Sequence, residues 1–161
     1  SRGSVIPFFI SLKDKQAFPI TDNRMTRFMI SLEDGVELVW HAFDDMKGGE
    51  IYVKKIPSMK VTDVALAVDE NTKQEEVGIR PGEKLHEQMI GIEDALYTYE
   101  YPEHFKILPS INDWAKDEAR ISDGIRVPED FTYTSNNNKE WMKISELQEW
   151  IDKNETKIGN I

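Results

Sequence analysis

The sequence predicts a mixed α/β chain that lacks a doubly wound sheet of its own. Stretches with helical periodicity alternate with short β-rich runs, but the runs are irregularly spaced. The nine glycines never form the G-x-G-x-x-G turn that opens a dinucleotide-binding fold. With 161 residues, 39% of them hydrophobic and 10% aromatic, the chain is long enough for one lobe with a real core.

"SVIPFFISLKDK" (4–15) predicts a short helix, with Ser4 as N-cap and Pro7 confined to the first turn. "PITD" (19–22) is turn chemistry or a short extended piece. "SLEDGVELVWHAFDDM" (31–46) is the clearest helix: Ser31 caps it, and Val36, Val39, Trp40 and Phe43 share one face. That spacing places Trp40 and Phe43 in the core. Gly48-Gly49 ends the helix and "EIYVKKI" (50–56) reads as a strand. A further helix starts near Thr62 or Asp63; "EEVGIR" reads as a strand and "GEKLHEQMI" as a short helix. "LYTYEY" (96–101) and "HFKILP" (104–109) read as two strands joined at Pro102. Residues 112–130 are polar and irregular, and "SELQEWIDK" (145–153) is a terminal helix with a Ser145–Gln148 capping box.

Charge excludes some partners. Residues 1–60 hold nine Lys/Arg against eight Asp/Glu, whereas 61–161 hold eleven against twenty-two. An acidic surface argues against nucleic acid, which needs cations to displace counterions. A small phosphorylated ligand near the neutral first third is compatible with it. No apolar run approaches the roughly 20 residues of a membrane span. Without cysteine there are no disulfides or thiolate metal sites. His41, His86 and His104 lie far apart with no H-x-x-x-H spacing, so no metal site is expected. No tyrosine is followed four positions later by lysine, and no G-x-S-x-G elbow occurs. The residues describe a binding lobe without catalytic machinery.

One stretch asks for more than a surface reading. "VGIRPGEKLHE" (77–87) sets Arg80 immediately before a Pro-Gly turn, as a ligand-binding arm or as a surface ion pair.

At "SRGSVIPFF", "PITDNRMTRF", "GGEIYVKKIPSMKVTD", "GIRPGEKLHE" and "FTYTSNNNKEW" the chain resembles the inverting UDP-N-acetylglucosamine 4,6-dehydratases, extended short-chain dehydrogenases of polysaccharide biosynthesis. The resemblance implies the C-terminal substrate-binding lobe of an extended Rossmann-type enzyme. On that reading 1–161 is a single lobe: a family-like core over 1–111, an irregular segment over 112–130, and a tail with its helix over 131–161. It further implies a cytoplasmic bacterial enzyme and a homo-oligomer. NADP would be bound by the absent N-terminal Rossmann half, with catalytic and cofactor-binding residues all outside this chain. The partners expected are a UDP-sugar and that N-terminal half, with no nucleic acid and no membrane. The alternative is a UDP-sugar-binding or oligomerisation module without chemistry; a related epimerase would share the fold.

Matched residue by residue, the resemblance implies that Arg80 contacts the UDP portion. A guanidinium is suited to this because its planar fork pairs two oxygens at once. Glu83 would accept from ribose hydroxyls; its alternative is a helix N-terminal carboxylate. Val5, Ile6, Pro7, Phe8 and Phe9 would line the uridine pocket, or form an ordinary buried helix start. Arg27 would clamp the diphosphate and Arg24 do so more weakly, the alternative for each being an ion pair with Asp22. His86 and Glu87 are expected to serve packing and capping.

Overall fold

A computed structural model describes residues 5–15, 17–110 and 117–158. Among these the elements run α1 (Val5–Ser11), β1 (Ala17–Ile20), β2 (Thr26–Phe28), α2 (Leu32–Asp45), β3 (Ile51–Lys54), β4 (Ser58–Lys60), α3 (Val61–Val68) and β5 (Lys73–Glu76). They continue with β6 (Gln88–Ile90), a 3-10 turn (Ala95–Tyr97), β7 (Thr98–Glu100), β8 (His104–Ile107), α4 (Glu118–Ile121), β9 (Ile125–Arg126), β10 (Tyr133–Thr134) and α5 (Ile144–Ile158). The Ser4 cap and the start of the irregular segment lie outside the described residues. The Cα trace forms two compact units. One comprises Ser1–Met29, Pro57–Glu87 and Asn138–Ile161; the other comprises Ile30–Ile56 and Gln88–Asn137. Each is woven from separated segments, a feature that local periodicity does not encode.

In the first unit, α1 tolerates Pro7 because first-turn amides have no intrahelical acceptor. Phe9 is buried and stacks on Phe18 of β1, ring centroids 5.1 Å apart. β1 pairs in parallel with β5, and β2 pairs antiparallel with β4. α3 follows β4 without a loop and packs against α1 and α5. Phe9, Phe18, Ile20, Met59, Val64 and Leu147 form the centre of this core. The predicted Ser145–Gln148 box is not used: α5 starts one residue earlier, and Glu146 reaches back to accept from the Lys143 N–H at 3.0 Å.

The second unit is built on an antiparallel sheet of order β3-β8-β7-β9, with β6 and β10 as a separate pair. The predicted hairpin at Pro102 forms, closed by the Tyr101 N–H donating to the His104 carbonyl at 2.9 Å. Part of the segment expected to be irregular is ordered, since β9 extends the sheet and Val127 is buried. Phe105 packs between Phe131 and Tyr133 at 5.2 and 5.1 Å. Lys106 is buried on β8, and its ammonium meets Asp45 at 2.5 Å and the Arg120 carbonyl at 3.0 Å. It also lies 4.9 Å from the centre of the Tyr101 ring. A buried ammonium is tolerable here because charge, carbonyl and π faces replace its water.

α2 corrects the sequence reading. Ser31 caps it as expected, accepting from the Asp34 N–H at 3.0 Å. Yet no residue of α2 is buried, and Trp40 and Phe43 are exposed rather than in the core. Its half-buried positions are Asp34, Gly35, Leu38, Ala42 and Asp45. Two of those are small, so the helix lies close to β3 on its less apolar side.

Candidate functional site

Arg80, Pro81, Gly82 and Glu83 form a β-turn. The Glu83 N–H donates to the Arg80 carbonyl at 3.0 Å, and Gly82 sits at φ +85°. Proline at the second position and a positive-φ glycine at the third are what a type II turn requires. The Glu83 carboxylate folds back to accept from the Arg80 N–H at 3.3 Å. The short helix predicted after this turn does not form, so Glu83 is not a helix N-terminal carboxylate. Residues 84–87 direct their polar groups sideways onto β2 instead.

That sideways docking is extensive. Thr26 donates its N–H to the Leu85 carbonyl at 3.2 Å, and its hydroxyl lies 2.7 Å from His86 Nδ1. The Phe28 N–H donates to Glu87 at 2.7 Å. Arg27 Nη1 donates to the carbonyls of Thr26 at 2.7 Å and Leu85 at 3.2 Å, while Nη2 donates to that of Lys84 at 3.1 Å. Arg27 Nε also lies 3.9 Å from Glu87. These groups fasten the segment that follows the turn to a strand. The Arg80 guanidinium, by contrast, is exposed and has no hydrogen bond or ion pair among the described residues.

Arg24 takes the alternative set out for it. Its Nε and Nη2 donate to Asp22 at 3.0 and 2.7 Å, and its backbone N–H does so at 2.8 Å. Those bonds hold the Asp22 carboxyl down to about 2. Arg27 makes no such pair with Asp22; carbonyls and Glu87 occupy it. On α1, Val5 and Ile6 lean on the first unit's core and Phe9 is enclosed by it, which leaves Phe8 as the exposed aromatic ring. The structure thus ties Arg27 to Lys84, Leu85 and Glu87, which follow the turn that carries Arg80 and Glu83, while Val5, Ile6 and Leu85 lean on the same core.

The second unit holds a cluster that sequence spacing missed. His41 and His104 come within 4.5 Å between ring centroids, and His104 stacks on Tyr101 at 4.6 Å. Burial, reinforced by His41 and Lys106, pushes His104 down to about 4, and its Nε2 has no hydrogen-bond partner among the described residues. Burial also raises Tyr101 to about 12. These residues border a recess of about 470 Å³ with Glu37, Lys54 and Asp123, and none of the predicted site residues lines it. Among the described residues, no three His, Asp or Glu side chains converge on a possible metal position. His41 and His104 are drawn together by β8, and no local motif signals that pairing.

Among the described residues, the turns from β2 into α2 and from β4 into α3 do not fit a dinucleotide. Its cradle needs glycine at a strand-to-helix turn, so that backbone amides reach the phosphates. The turn from β2 into α2 (Met29, Ile30, Ser31) has none, and the Asp34 amide there is already taken by Ser31. β4 runs directly into α3 at Val61, again without glycine. No cofactor step is therefore assigned to this chain.

Fold and site together define a mixed α/β module that carries, on a turn followed by a fastened segment, a cation without a partner among the described residues. The chain belongs to the polysaccharide biosynthesis protein family, which matches residues 1–109. It is 49% identical over 162 residues to UDP-N-acetylglucosamine 4,6-dehydratase (inverting) of Campylobacter jejuni serotype O:2, covering 96% of this chain and 48% of that relative. It is 35% identical to UDP-glucose 4-epimerase of Rickettsia rickettsii, covering 94% and 46%. The X-ray structure of Pen from Bacillus thuringiensis superposes with TM-score 0.78 at 30% identity, covering 96% of this chain and 47% of that one. The chain spans about half the length of the curated relatives it matches.

Proposed function

We propose that this chain is the C-terminal, UDP-sugar-binding half of an inverting UDP-N-acetylglucosamine 4,6-dehydratase. The enzyme would act in the cytoplasm as a homo-oligomer, with NADP held by the other half. The carrying observation is the Arg80 guanidinium, exposed and unpaired among the described residues, on a turn whose following residues are fastened to β2. A cation prepared in this way loses little freedom on meeting a diphosphate, and its fork matches two phosphoryl oxygens. Both kinds of curated relative carry a UDP-hexose in their names, so the ligand class does not depend on which chemistry follows. The higher identity favours the dehydratase.

In this reading Arg80 pairs the diphosphate, and Glu83 accepts from ribose hydroxyls with the carboxylate oxygen not turned to the Arg80 amide. Val5, Ile6, Pro7 and the exposed Phe8 wall the uracil, while Phe9 anchors α1 from within the core. Arg27 has its donors committed to carbonyls, so it serves by positioning the Arg80 segment. The chain's work is to hold and orient the nucleotide so that the hexose projects towards the other half.

Isothermal titration with UDP tests the reading. Saturable binding by the wild-type chain, weakened in Arg80→Ala by about 1.5–3 kcal/mol, is the expected result for loss of a charge-assisted contact. Equal affinity in the two chains would remove Arg80 from the site. No binding by a folded chain would sink the claim that this half carries the nucleotide site.

A further inference from the structure

Among the described residues, His104 Nε2 is the buried side-chain atom left without a hydrogen bond. The residue is 9% exposed, and buried polar groups are paired in nearly all folded proteins. A ring nitrogen left over in this way is open to a partner that the polypeptide does not supply. The ring itself is fixed. It stacks on Tyr101 with centroids 4.6 Å apart and planes 4° from parallel, and the Tyr101 hydroxyl donates to the Ile121 carbonyl at 2.6 Å. Gly124 approaches Tyr101 so closely that a Cβ there would lie 2.5 Å from the phenol. Tyr101 is thus a held wall, and His104 is held against it.

A second imidazole stands beside the first. His41, exposed on α2, has its ring centre 4.5 Å from that of His104. Two imidazoles sharing one ion through nitrogens about 2.0–2.1 Å from it, at angles of about 90–110°, have centres about 4.5–5.2 Å apart. The observed spacing falls at the near end of that range. Both rings border the recess, and Glu37, Lys54, Glu103 and Asp123 stand with them. Lys54 is neutralised, since its ammonium donates to Asp34 at 2.8 Å and to Glu37 at 3.4 Å. The carboxylates of Glu103 and Asp123 have no ion pair among the described residues, so the recess carries a negative field. Such a field draws cations and repels phosphates.

We infer that His41 and His104 form a two-imidazole site for a borderline transition-metal cation of the Zn²⁺ class, joining α2 to the turn between β7 and β8. The donor chemistry selects the ion: imidazole suits zinc, copper and nickel, whereas magnesium and calcium take oxygen ligands. Ligation needs a neutral imidazole, which is the form that burial favours. No third His, Asp or Glu converges on the pair among the described residues, so water fills the other positions and the ion exchanges readily. Sequence spacing hides the site because one histidine lies on a helix and the other on a distant hairpin. Arg80, Glu83 and the α1 residues do not border this recess, so the inference goes beyond the nucleotide reading and stands or falls without it.

Isothermal titration of the full chain with zinc chloride, in a buffer that does not bind metals, tests the site. One ion per chain with micromolar affinity is expected for the wild type. His41→Ala should bind at least about ten-fold more weakly, since an inner ligand is lost. His41 is exposed, so that variant keeps the fold. Imidazole nitrogen resonances of the wild-type chain are followed by NMR through the same titration. A ring nitrogen of His41 and Nε2 of His104 should shift together and stop at one equivalent, while His86, bonded to Thr26 at 2.7 Å, stays in place. Zn²⁺ should also raise the thermal unfolding midpoint by several degrees in the wild type and not in His41→Ala, with reversal by a chelator. Absence of saturable binding would overturn the inference. Wild-type affinity in His41→Ala would overturn it as well. So would a shift of His41 that leaves His104 Nε2 unmoved, the mark of a lone surface histidine.

Discussion

Arg27 and Leu85 are joined by a side-chain-to-carbonyl hydrogen bond of 3.2 Å, although 58 residues separate them in the chain. The same guanidinium reaches the Lys84 carbonyl, and Glu87 takes the Phe28 amide. β2 and the segment after the Arg80 turn therefore move together, which divides the two arginines by role. Arg27→Ala should lower unfolding free energy by about 1–2 kcal/mol, since carbonyls lose a charged donor at a partly exposed site. Arg80→Ala should leave stability within about 0.5 kcal/mol, as expected for an exposed side chain without partners among the described residues. Urea unfolding of both variants, beside UDP titration, separates positioning from binding. An Arg80 variant as unstable as the Arg27 variant would contradict the division.

Gly82 is the turn's conformational requirement. Its φ of +85° is strained for any residue with a Cβ, although nothing lies within 4 Å of where that Cβ would sit. Gly82→Ala should cost about 1 kcal/mol through backbone strain alone. It should also weaken UDP binding, because Arg80 and Glu83 are the first and last residues of the turn. Wild-type affinity in Gly82→Ala would show that the turn's shape does not set the site.

His104 gives the second unit a pH dependence of defined sign. Its folded value, about 4, lies below the ordinary 6.5, so the folded state disfavours its protonation. The stability is fully present above about pH 6.5 and is lost as pH falls from there through about 4. Asp45 and Tyr101 face the ring as well as His41 and Lys106. The carboxyls of Asp22, Asp34 and Asp45 are held below their ordinary value and titrate in a separate, lower window. Urea midpoints should therefore fall between pH 7 and pH 4.5 in the wild type, and less so in His104→Phe, with a difference of at most about 3 kcal/mol. Parallel curves for the two chains would assign the acid sensitivity elsewhere.

What the sequence disclosed, and what it hid, follows the range of the forces involved. Ser31 was legible as a cap because the Asp34 amide it serves is three residues away. The turn at Arg80 was legible because Pro81 and Gly82 fix backbone angles without outside help. The helix expected after it failed because residues 85–87 find partners on β2, and nothing between 77 and 87 signals them. Spacing identified the apolar stripe of α2 but not its exposure, since periodicity shows which face is apolar and not whether this chain covers it. Arg24 was readable as a partner of Asp22 at two residues' distance, whereas the commitment of Arg27 to residues 84, 85 and 87 was not. The approach of His41 to His104 likewise depends on sheet order.

Lys106 offers the sharpest test of how the second unit holds its polar interior. Its ammonium is enclosed by Asp45, the Arg120 carbonyl and the faces of Tyr52 and Tyr101. Tyr52 donates its hydroxyl to the same Asp45 at 2.6 Å, so the carboxylate bridges the buried Lys106 and the half-buried Tyr52. Burial opposes ionisation of Asp45, yet hydrogen bonds from Lys106 and Tyr52 prevail and keep it ionised below its ordinary range. Lys106→Ala removes the cation and leaves that carboxylate with one donor beside an empty volume. Breaking a fully buried pair costs about 3–5 kcal/mol, and the partial exposure of Asp45 brings the expectation down to about 2. Lys106→Met refills the space without the charge, so it should recover part of the loss if packing dominates and little if the charge does. Calorimetric unfolding of the two variants decides between these. A Lys106→Ala chain as stable as the parent would show that the ammonium does not hold α2 to the sheet.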